Sequence, residues 1–281
     1  MKDKYLFGVV GHKIGYSLSP QIFQTISKIT GVPCDFKSHD IAPRRFNIDF
    51  PEVLKSGIDG FSVTIPFKNR VAEYLDEVDV SAVAVGAVNS IGIKDGRVFG
   101  YNTDSYGFSL PLLKHSDKLH GGAALVFGAG GAAKAIVHSL ATRFKMRRVC
   151  VFARSAVKFA EFKQCLQENI PSLNIEGGLI EDYDPQSYEP YDIVVNCTPL
   201  GGWNHLDESP LPSSFNWLAG KIYCDLSYNR GNKIVASAAK QALTAYDGSI
   251  MLIGQALRSL ELWTGIKVEF EPVYGEVFGG V

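Results

Sequence analysis

The run Ala123-Ala124-Leu125-Val126-Phe127 leads straight into Gly128-Ala129-Gly130-Gly131-Ala132-Ala133, and Ala133, Ile136, Val137 and Leu140 then follow with helical spacing. A Gly-x-Gly-x-x-Ala turn between a buried strand and a helix N-terminus is a cradle for an anion. Gly128 allows the sharp turn, Gly130 lets the backbone approach a pyrophosphate, and Ala133 keeps the helix close to the sheet. The free N–H groups and the helix dipole then hold the charge. The chemistry indicated is that of a bound dinucleotide. The end of the next strand selects among dinucleotides. Residues 149–152 run into Ala153-Arg154-Ser155-Ala156-Val157-Lys158. An NAD site places Asp or Glu at this strand end to bind the ribose 2′-hydroxyl. Here Ala153 occupies it, followed by Arg154, Ser155 and Lys158. Two cations and a hydroxyl suit a 2′-phosphate, and Arg154 can also stack on adenine. Solvated Arg and Lys are common on any surface, but the missing carboxylate decides for NADP.

Other polar groups stand where a ligand can meet them. Ser17 and Ser19 precede Pro20, with Ile22, Phe23, Ile26 and Ile29 spaced as a buried helix face. Ser19 as N-cap with Pro at N1 explains the pattern, and on spacing alone capping leads. The alternative is that the two hydroxyls bind a ligand. Residues 60–65 alternate as a strand that Pro66 stops, which leaves Lys68 at the mouth of a sheet. Lys68 also reads as a surface lysine opening a helix over 69–75. Residues 84–90, containing Asn89, and 100–107, containing Asp104, read as loops of hydrogen-bonding groups among glycines. Asn and Asp favour turns in any case.

The elements that must position these groups fall into two halves. The first half has strands over 5–10, 34–39 and 60–65, a helix from Pro20, a helix over 45–55, and a hairpin of 88–93 with 97–100 through Lys94-Asp95-Gly96. From residue 123 strands and helices alternate: strands over 123–127, 148–152, 175–178, 193–196, 222–226 and 244–246, helices over 132–143, 157–167 and 233–242. Such alternation predicts a Rossmann-type, doubly wound parallel sheet. A last helix over 251–264 outlasts the strands and is expected to cross back. The fold expected is therefore α/β in two domains: residues 1–107 completed by 248–281 as the smaller one, and 108–247 as the NADP-binding domain.

The 281 residues carry 28 Lys+Arg against 29 Asp+Glu, a net charge of −1 that gives no electrostatic case for nucleic acid or an anionic membrane. No apolar run approaches the ~20 residues of a membrane span, and the start is too short in apolar residues for a signal-peptide core. The five cysteines lack C-x-x-C spacing. Cys150, Cys197 and Cys224 fall in predicted buried strands, as small hydrophobes of a reduced, cytoplasmic chain. No His/Cys/Asp cluster has metal-ligand spacing, so no metal is expected.

Over nearly its whole length the chain resembles the shikimate dehydrogenase family. The carrying residues, in order, are Ser17-Leu18-Ser19-Pro20, Val63-Thr64-Ile65-Pro66-Phe67-Lys68, Ala87-Val88-Asn89 and Asn102-Thr103-Asp104-Ser105-Tyr106-Gly107. Gly128 to Ala133, Arg154-Ser155, Asn196-Cys197-Thr198-Pro199-Leu200-Gly201 and Asp225-Leu226-Ser227-Tyr228-Asn229 follow, then Asp247-Gly248, Met251, Leu252 and Gln255. The resemblance implies reversible NADP-linked reduction of 3-dehydroshikimate to shikimate, a step of aromatic amino-acid biosynthesis. It implies that residues 1–107 with 248–281 form a substrate-binding domain, with a cleft between it and the NADP-binding domain. It implies Lys68 and Asp104 as the catalytic pair, and Ser17, Ser19, Thr64, Asn89, Tyr228 and Gln255 around the substrate. It places Gly128, Ala129, Gly130, Gly131, Ala132, Ala133, Ala153, Arg154, Ser155, Lys158, Thr198, Leu226, Gly248 and Met251 around the cofactor. Lys68 would protonate the alkoxide while holding positive charge where it forms. Three departures stand out: Ser62 where the family usually has Asn, Phe23 and Gln24 where a His is common, and the Asn196-Cys197-Thr198-Pro199 loop. They leave open a quinate-type or NAD-using relative, and the fold also admits a non-catalytic shikimate- or nucleotide-binding regulator. A monomer or homodimer with small-molecule partners is expected.

Overall fold

The computed structural model describes residues 2–184, 191–212, 215, 218–229, 231–241 and 243–279. The predicted helix end at Ala242 lies outside the described residues. The chain divides into two compact units: Phe108–Leu252 form one, and the chain up to Gly107 together with that from Ile253 forms the other. The division falls at Ile253, within the last long helix but one, whereas sequence pattern places it at 248.

The first unit is built on β1 (Tyr5–Gly11), β2 (Cys34–Asp40), β3 (Gly60–Val63), β4 (Glu77–Val78), β5 (Ser90–Lys94) and β6 (Arg97–Tyr101). The sheet order is β2-β1-β3-β5-β6-β4. β1 runs parallel to β2 and β3, while β5 is antiparallel to β3 and β6. Asp95 (φ 51°) and Gly96 (φ 76°) are both left-handed, the two-residue turn that matches strand twist and that Asp-Gly favours. Helices α1 (Ser19–Thr30), α2 (Phe46–Leu54), α3 (Val80–Val85) and α4 (Asp104–Ser109) complete the part before Gly107. Phe46, Phe50, Phe61 and Phe67 are buried in one apolar cluster beside this sheet.

Several expectations need correction. The helix over 69–75 is a single 3₁₀ turn, Val71–Tyr74. The segment is too short before β4 to grow past i→i+3 bonds. Residues 84–90 are not all loop, because α3 extends to Val85 and is stopped by Gly86 at φ 66°. Asp104 opens a helix rather than lying inside a loop. Cys197 lies just beyond its strand and is half-buried, unlike Cys150 and Cys224; all five thiols are free.

The second unit contains α5 (Ser116–Leu119), β7 (Ala123–Phe127), α6 (Gly131–Thr142), β8 (Arg148–Ala153), α7 (Ala156–Asn169), β9 (Asn174–Leu179), β10 (Ile193–Asn196), β11 (Ile222–Asp225), α8 (Lys233–Lys240) and β12 (Thr244–Tyr246). Its sheet runs β12-β11-β10-β7-β8-β9, every neighbour parallel. Read from β9, this is the 3-2-1-4-5-6 order of a doubly wound dinucleotide fold, which reverses direction between β7 and β10. The four inner strands β7, β8, β10 and β11 are buried on both faces, as continuous apolar runs such as Ala124–Phe127 require, while the edge strands β9 and β12 are partly exposed.

The chain ends in α9 (Ser249–Thr264) and α10 (Phe270–Phe278). Trp263 of α9 stacks on Phe23 (centroids 5.7 Å apart, 15° between planes) and donates its indole N–H to Ser90 Oγ at 3.0 Å. A Cβ at Gly60 would overlap its ring, so glycine is needed there for the helix to reach the sheet. Among the described residues, no helix is long and apolar enough to cross a membrane.

Candidate active site

In the first unit, four predicted residues meet at one point. After β3 the backbone turns, Thr64 N donating to Val10 O at 2.9 Å and Phe67 N to Thr64 O at 2.9 Å, and Lys68 O then accepts Val88 N at 2.9 Å. Lys68 is thereby held at the sheet end rather than on an open helix. Its Nζ donates to Asp104 Oδ2 at 2.5 Å, with side-chain exposures of 14% and 6%. A pair so far out of water is stable only when the remaining lone pairs are satisfied. Asn89 Nδ2 supplies this, donating to Asp104 Oδ1 at 2.9 Å. The same amide nitrogen lies 3.0 Å from Thr103 Oγ1 and 3.5 Å from Gln255 Oε1, while Asn89 Oδ1 accepts Thr103 N at 2.7 Å. Asn102 fixes the helix start beneath: its Oδ1 accepts Asp104 N at 3.1 Å and its Nδ2 donates to Ala87 O at 2.9 Å.

Ser19 is not the N-cap of α1. Leu18 is the N-cap, without a side-chain bond, and Ser19 is already helical. Ser17 Oγ instead donates to Ser19 Oγ at 3.1 Å and accepts Ser19 N at 3.3 Å. Ser19 as N-cap is therefore not borne out, and it is the Ser17 hydroxyl that takes the first helical N–H. Phe23, at a departure from the family pattern, is fully buried against Phe7, Phe36 and Trp263. Ser62, another departure, pairs with Ser90 across β3 and β5.

In the second unit, the predicted cofactor residues and Tyr228 lie at or beyond the C-terminal ends of β7, β8, β10, β11 and β12, where an open α/β sheet binds ligands. Gly128 sits at φ 109° with the Cys197 carbonyl 3.1 Å from where a Cβ would be, so only glycine fits. Gly130 caps α6, and a Cβ there would meet nothing within 4 Å. That opening beside the first N–H groups of α6 leaves room for a phosphate, with Gly131 and Ala132 in the first turn and Ala133 fully buried against the sheet. Ala153 ends β8, buried, and Arg154 and Lys158 are exposed beyond it. Ser155 is the N-cap of α7, its Oγ accepting Lys158 N at 3.4 Å. No carboxylate stands at this strand end, so the residues present fit a 2′-phosphorylated ribose.

The loops after β10 and β11 are tied together by groups that sequence reasoning left out of the site. Asn196 Oδ1 accepts Thr198 N at 2.9 Å and Thr198 Oγ1 at 2.7 Å, and its Nδ2 donates to Asp225 Oδ2 at 3.0 Å. Asp225 also accepts the Tyr223 hydroxyl at 2.9 Å and Ser227 N at 2.8 Å. Burial pushes its carboxyl above the ordinary value, against the pull of those donors. Leu226 N donates to Asn196 O at 3.0 Å, and a Cβ on Gly248 would collide with Leu226 O. Tyr228 follows on the same loop, half-buried, and Met251 lies in the first turn of α9. Thr103, Asn102 and Ser259 were also missed. The Asn-Thr-Asp run and the four-residue spacing of Gln255 and Ser259 were the available signals. Among the described residues no group of three His, Cys, Asp or Glu side chains could hold a metal ion.

Two family models match the chain. One, described as "Shikimate dehydrogenase substrate binding domain", covers residues 9–91; the other, "Shikimate 5'-dehydrogenase C-terminal domain", covers residues 251–278. The chain is 32% identical to a shikimate dehydrogenase (NADP(+)) of Chlorobaculum tepidum, over 100% of this chain and 97% of that one. The chain belongs to the shikimate dehydrogenase family. A second shikimate dehydrogenase (NADP(+)), from Clostridium perfringens, is 34% identical over 97% of this chain and 98% of its own. Among solved structures, shikimate 5-dehydrogenase from Thermus thermophilus, in complex with NADP(H) and shikimate, superposes with a TM-score of 0.81. It is 26% identical and the match covers 97% of this chain and 98% of that one.

Proposed function

We propose that this chain is an NADP-dependent shikimate dehydrogenase, interconverting 3-dehydroshikimate and shikimate on the route to aromatic amino acids. The observation that carries the reading is the Lys68–Asp104 pair, nearly buried and held at both carboxylate oxygens, in a chain of this family.

Carbonyl reduction adds a hydride to carbon and a proton to the oxygen that becomes an alkoxide. When bound, the nicotinamide supplies the hydride. The protein's share is orientation and charge. Lys68 Nζ donates a proton to the developing alkoxide and places positive charge beside it. Asp104, fixed by Asn89, aims that ammonium and accepts from a ring hydroxyl. Ser17, Ser19, Thr64, Asn89, Gln255 and Tyr228 hold the other hydroxyls and the carboxylate with neutral donors. The turn from Gly128 to Ala133 holds the pyrophosphate, and Arg154, Ser155 and Lys158 the 2′-phosphate. Thr198, Leu226, Gly248 and Met251 line the nicotinamide end. On this reading the unit up to Gly107 with its C-terminal helices binds substrate, and Phe108–Leu252 bind NADP. Five free thiols suit a reducing cytoplasm.

The test is to follow nicotinamide absorbance with shikimate and with quinate, each with NADP and with NAD. Turnover should be fastest with shikimate and NADP. A preference for quinate or for NAD, or no turnover with any pair, would overturn the reading.

A further inference from the structure

Helix α9 presents two polar side chains, Gln255 and Ser259, on one face, as residues four apart must be. Both are buried. Gln255 meets Asn89 directly. Ser259 does not touch the reacting pair: its Oγ lies 3.1 Å from Thr103 Oγ1, whose own neighbours are the two polar atoms of the Asn89 side chain. From Ser259 to Lys68 the contacts are therefore Ser259–Thr103–Asn89–Asp104–Lys68, each at hydrogen-bond distance.

Simple satisfaction of polar groups does not demand the first of these contacts. A serine inside a helix can return its hydroxyl to the carbonyl four residues back, and Thr103 Oγ1 already has a partner in Asn89. The Ser259 hydroxyl does restrict which way Thr103 points. Thr103 is β-branched, with few staggered side-chain positions. Its hydroxyl and its backbone N–H together grip both ends of the Asn89 amide. That amide in turn decides which way Asp104 Oδ1 faces, and hence where Oδ2 holds the ammonium.

We propose that Ser259 is a positioning residue for the Lys68–Asp104 pair, acting through Thr103 and Asn89. The proposal rests on the reading of that pair as the reacting groups. A buried network of this kind is stronger than its separate bonds, and the loss of one member loosens the rest.

Four variants test it: Ser259→Ala, Thr103→Val, Thr103→Ser and the double Ser259→Ala/Thr103→Val, with steady-state kinetics for shikimate and NADP. Ser259→Ala should lower kcat by roughly 5–30-fold, the size expected for one buried hydrogen bond, while KM for NADP stays within about twofold. Thr103→Val should lose at least as much and Thr103→Ser should recover most of it, since the hydroxyl is what counts. The double variant should be no slower than Thr103→Val alone, within about twofold, because the two hydroxyls act in series. Unchanged kcat in Ser259→Ala, or losses that multiply in the double variant, would overturn the proposal. If the unaltered protein turns over no shikimate, the reading of the function fails instead. The crystal structure of Ser259→Ala then decides: Asp104 turned away from Lys68 Nζ supports positioning, and an undisturbed Asp104 refutes it. Should Thr103→Val fail to fold, Ser259→Ala and its structure suffice.

Discussion

Lys68 has an ammonium that is almost out of water, against a carboxylate whose other oxygen is held by a neutral amide. Removing the lysine leaves Asp104 a buried charge without its cation. Lys68→Ala should cut turnover by about 10²–10⁴-fold, the usual worth of a placed acid–base group. Substrate binding should change far less, because on the proposed reading Ser17, Ser19, Asn89 and Gln255 still hold the ring. Steady-state kcat beside a direct titration of shikimate binding would separate the two. A surface lysine predicts near-normal turnover, and that result would sink the mechanism. Asp104→Asn should harm both turnover and binding. At this scale the sequence was only partly legible. By spacing alone Lys68 read as a solvated helix start, and its burial depends on Val88 and Asp104, which lie far along the chain. At positions 17 and 19 the local pattern put a capping bond on the wrong residue, since Ser17 rather than Ser19 takes the first helical N–H.

The strand ends of the second unit were legible as elements, since a glycine turn after a buried strand leaves few alternatives. The doubly wound sheet follows from that alternation, and the strand boundaries agree to a residue or so. Elements of two to six residues, such as β4, α3 and α4, have too little periodicity to stand out. Their position is set by contacts like Asn102 with Ala87 rather than by local preference. The proposed reading of cofactor choice belongs at this scale, on the segment joining β8 to α7. Ala153→Asp combined with Arg154→Ser should weaken NADP by well over tenfold while NAD gains, as the carboxylate binds a 2′-hydroxyl and repels a 2′-phosphate. Fluorescence titration with each cofactor would measure it, and a retained NADP preference would show that another segment reads the phosphate. A second prediction concerns the base of the same sheet. Asp192 accepts Lys221 Nζ at 2.9 Å and Ala123 N at 3.0 Å. Burial alone would raise its carboxyl, but these donors outweigh burial and bring it below the ordinary value. A lowered folded-state value means the group stabilises the fold above about pH 4 and stops doing so as pH falls through that lowered value. Asp192→Asn should therefore cost about 1 kcal/mol at neutral pH and much less at a pH well below that lowered value. Urea midpoints at the two pH values would reveal a pH-independent gap if the ion pair is not the cause.

The chain leaves the first unit at Gly107 and returns to it at Ile253, so that unit is assembled from two distant segments whose union must be specified by packing. Trp263 is the best placed residue to specify it. Its ring lies on Gly60 of β3, stacks on Phe23 of α1, packs 5.4 Å from Phe7 of β1, and donates to Ser90 of β5. One side chain on the returning segment thus touches three strands and a helix of the leading segment. No local pattern predicts that union; what the sequence offered was a helix left over after the last parallel strand. Trp263→Ala should cost about 3 kcal/mol or more, through lost area, a cavity between Gly60 and Phe23, and an unpaired Ser90 hydroxyl. The loss should be confined to the first unit, because the sheet of the second contains no residue beyond Tyr246. Native-state hydrogen exchange reads this directly. Amides of β1, β3 and β5 should lose protection by about two orders of magnitude, following 1.4 kcal/mol per tenfold. Those of β7, β8 and β10 should keep theirs. An equal loss across both sets would mean that the two units unfold as one, and undiminished protection in β1 would mean that the returning helix is a passenger on a sheet already complete without it.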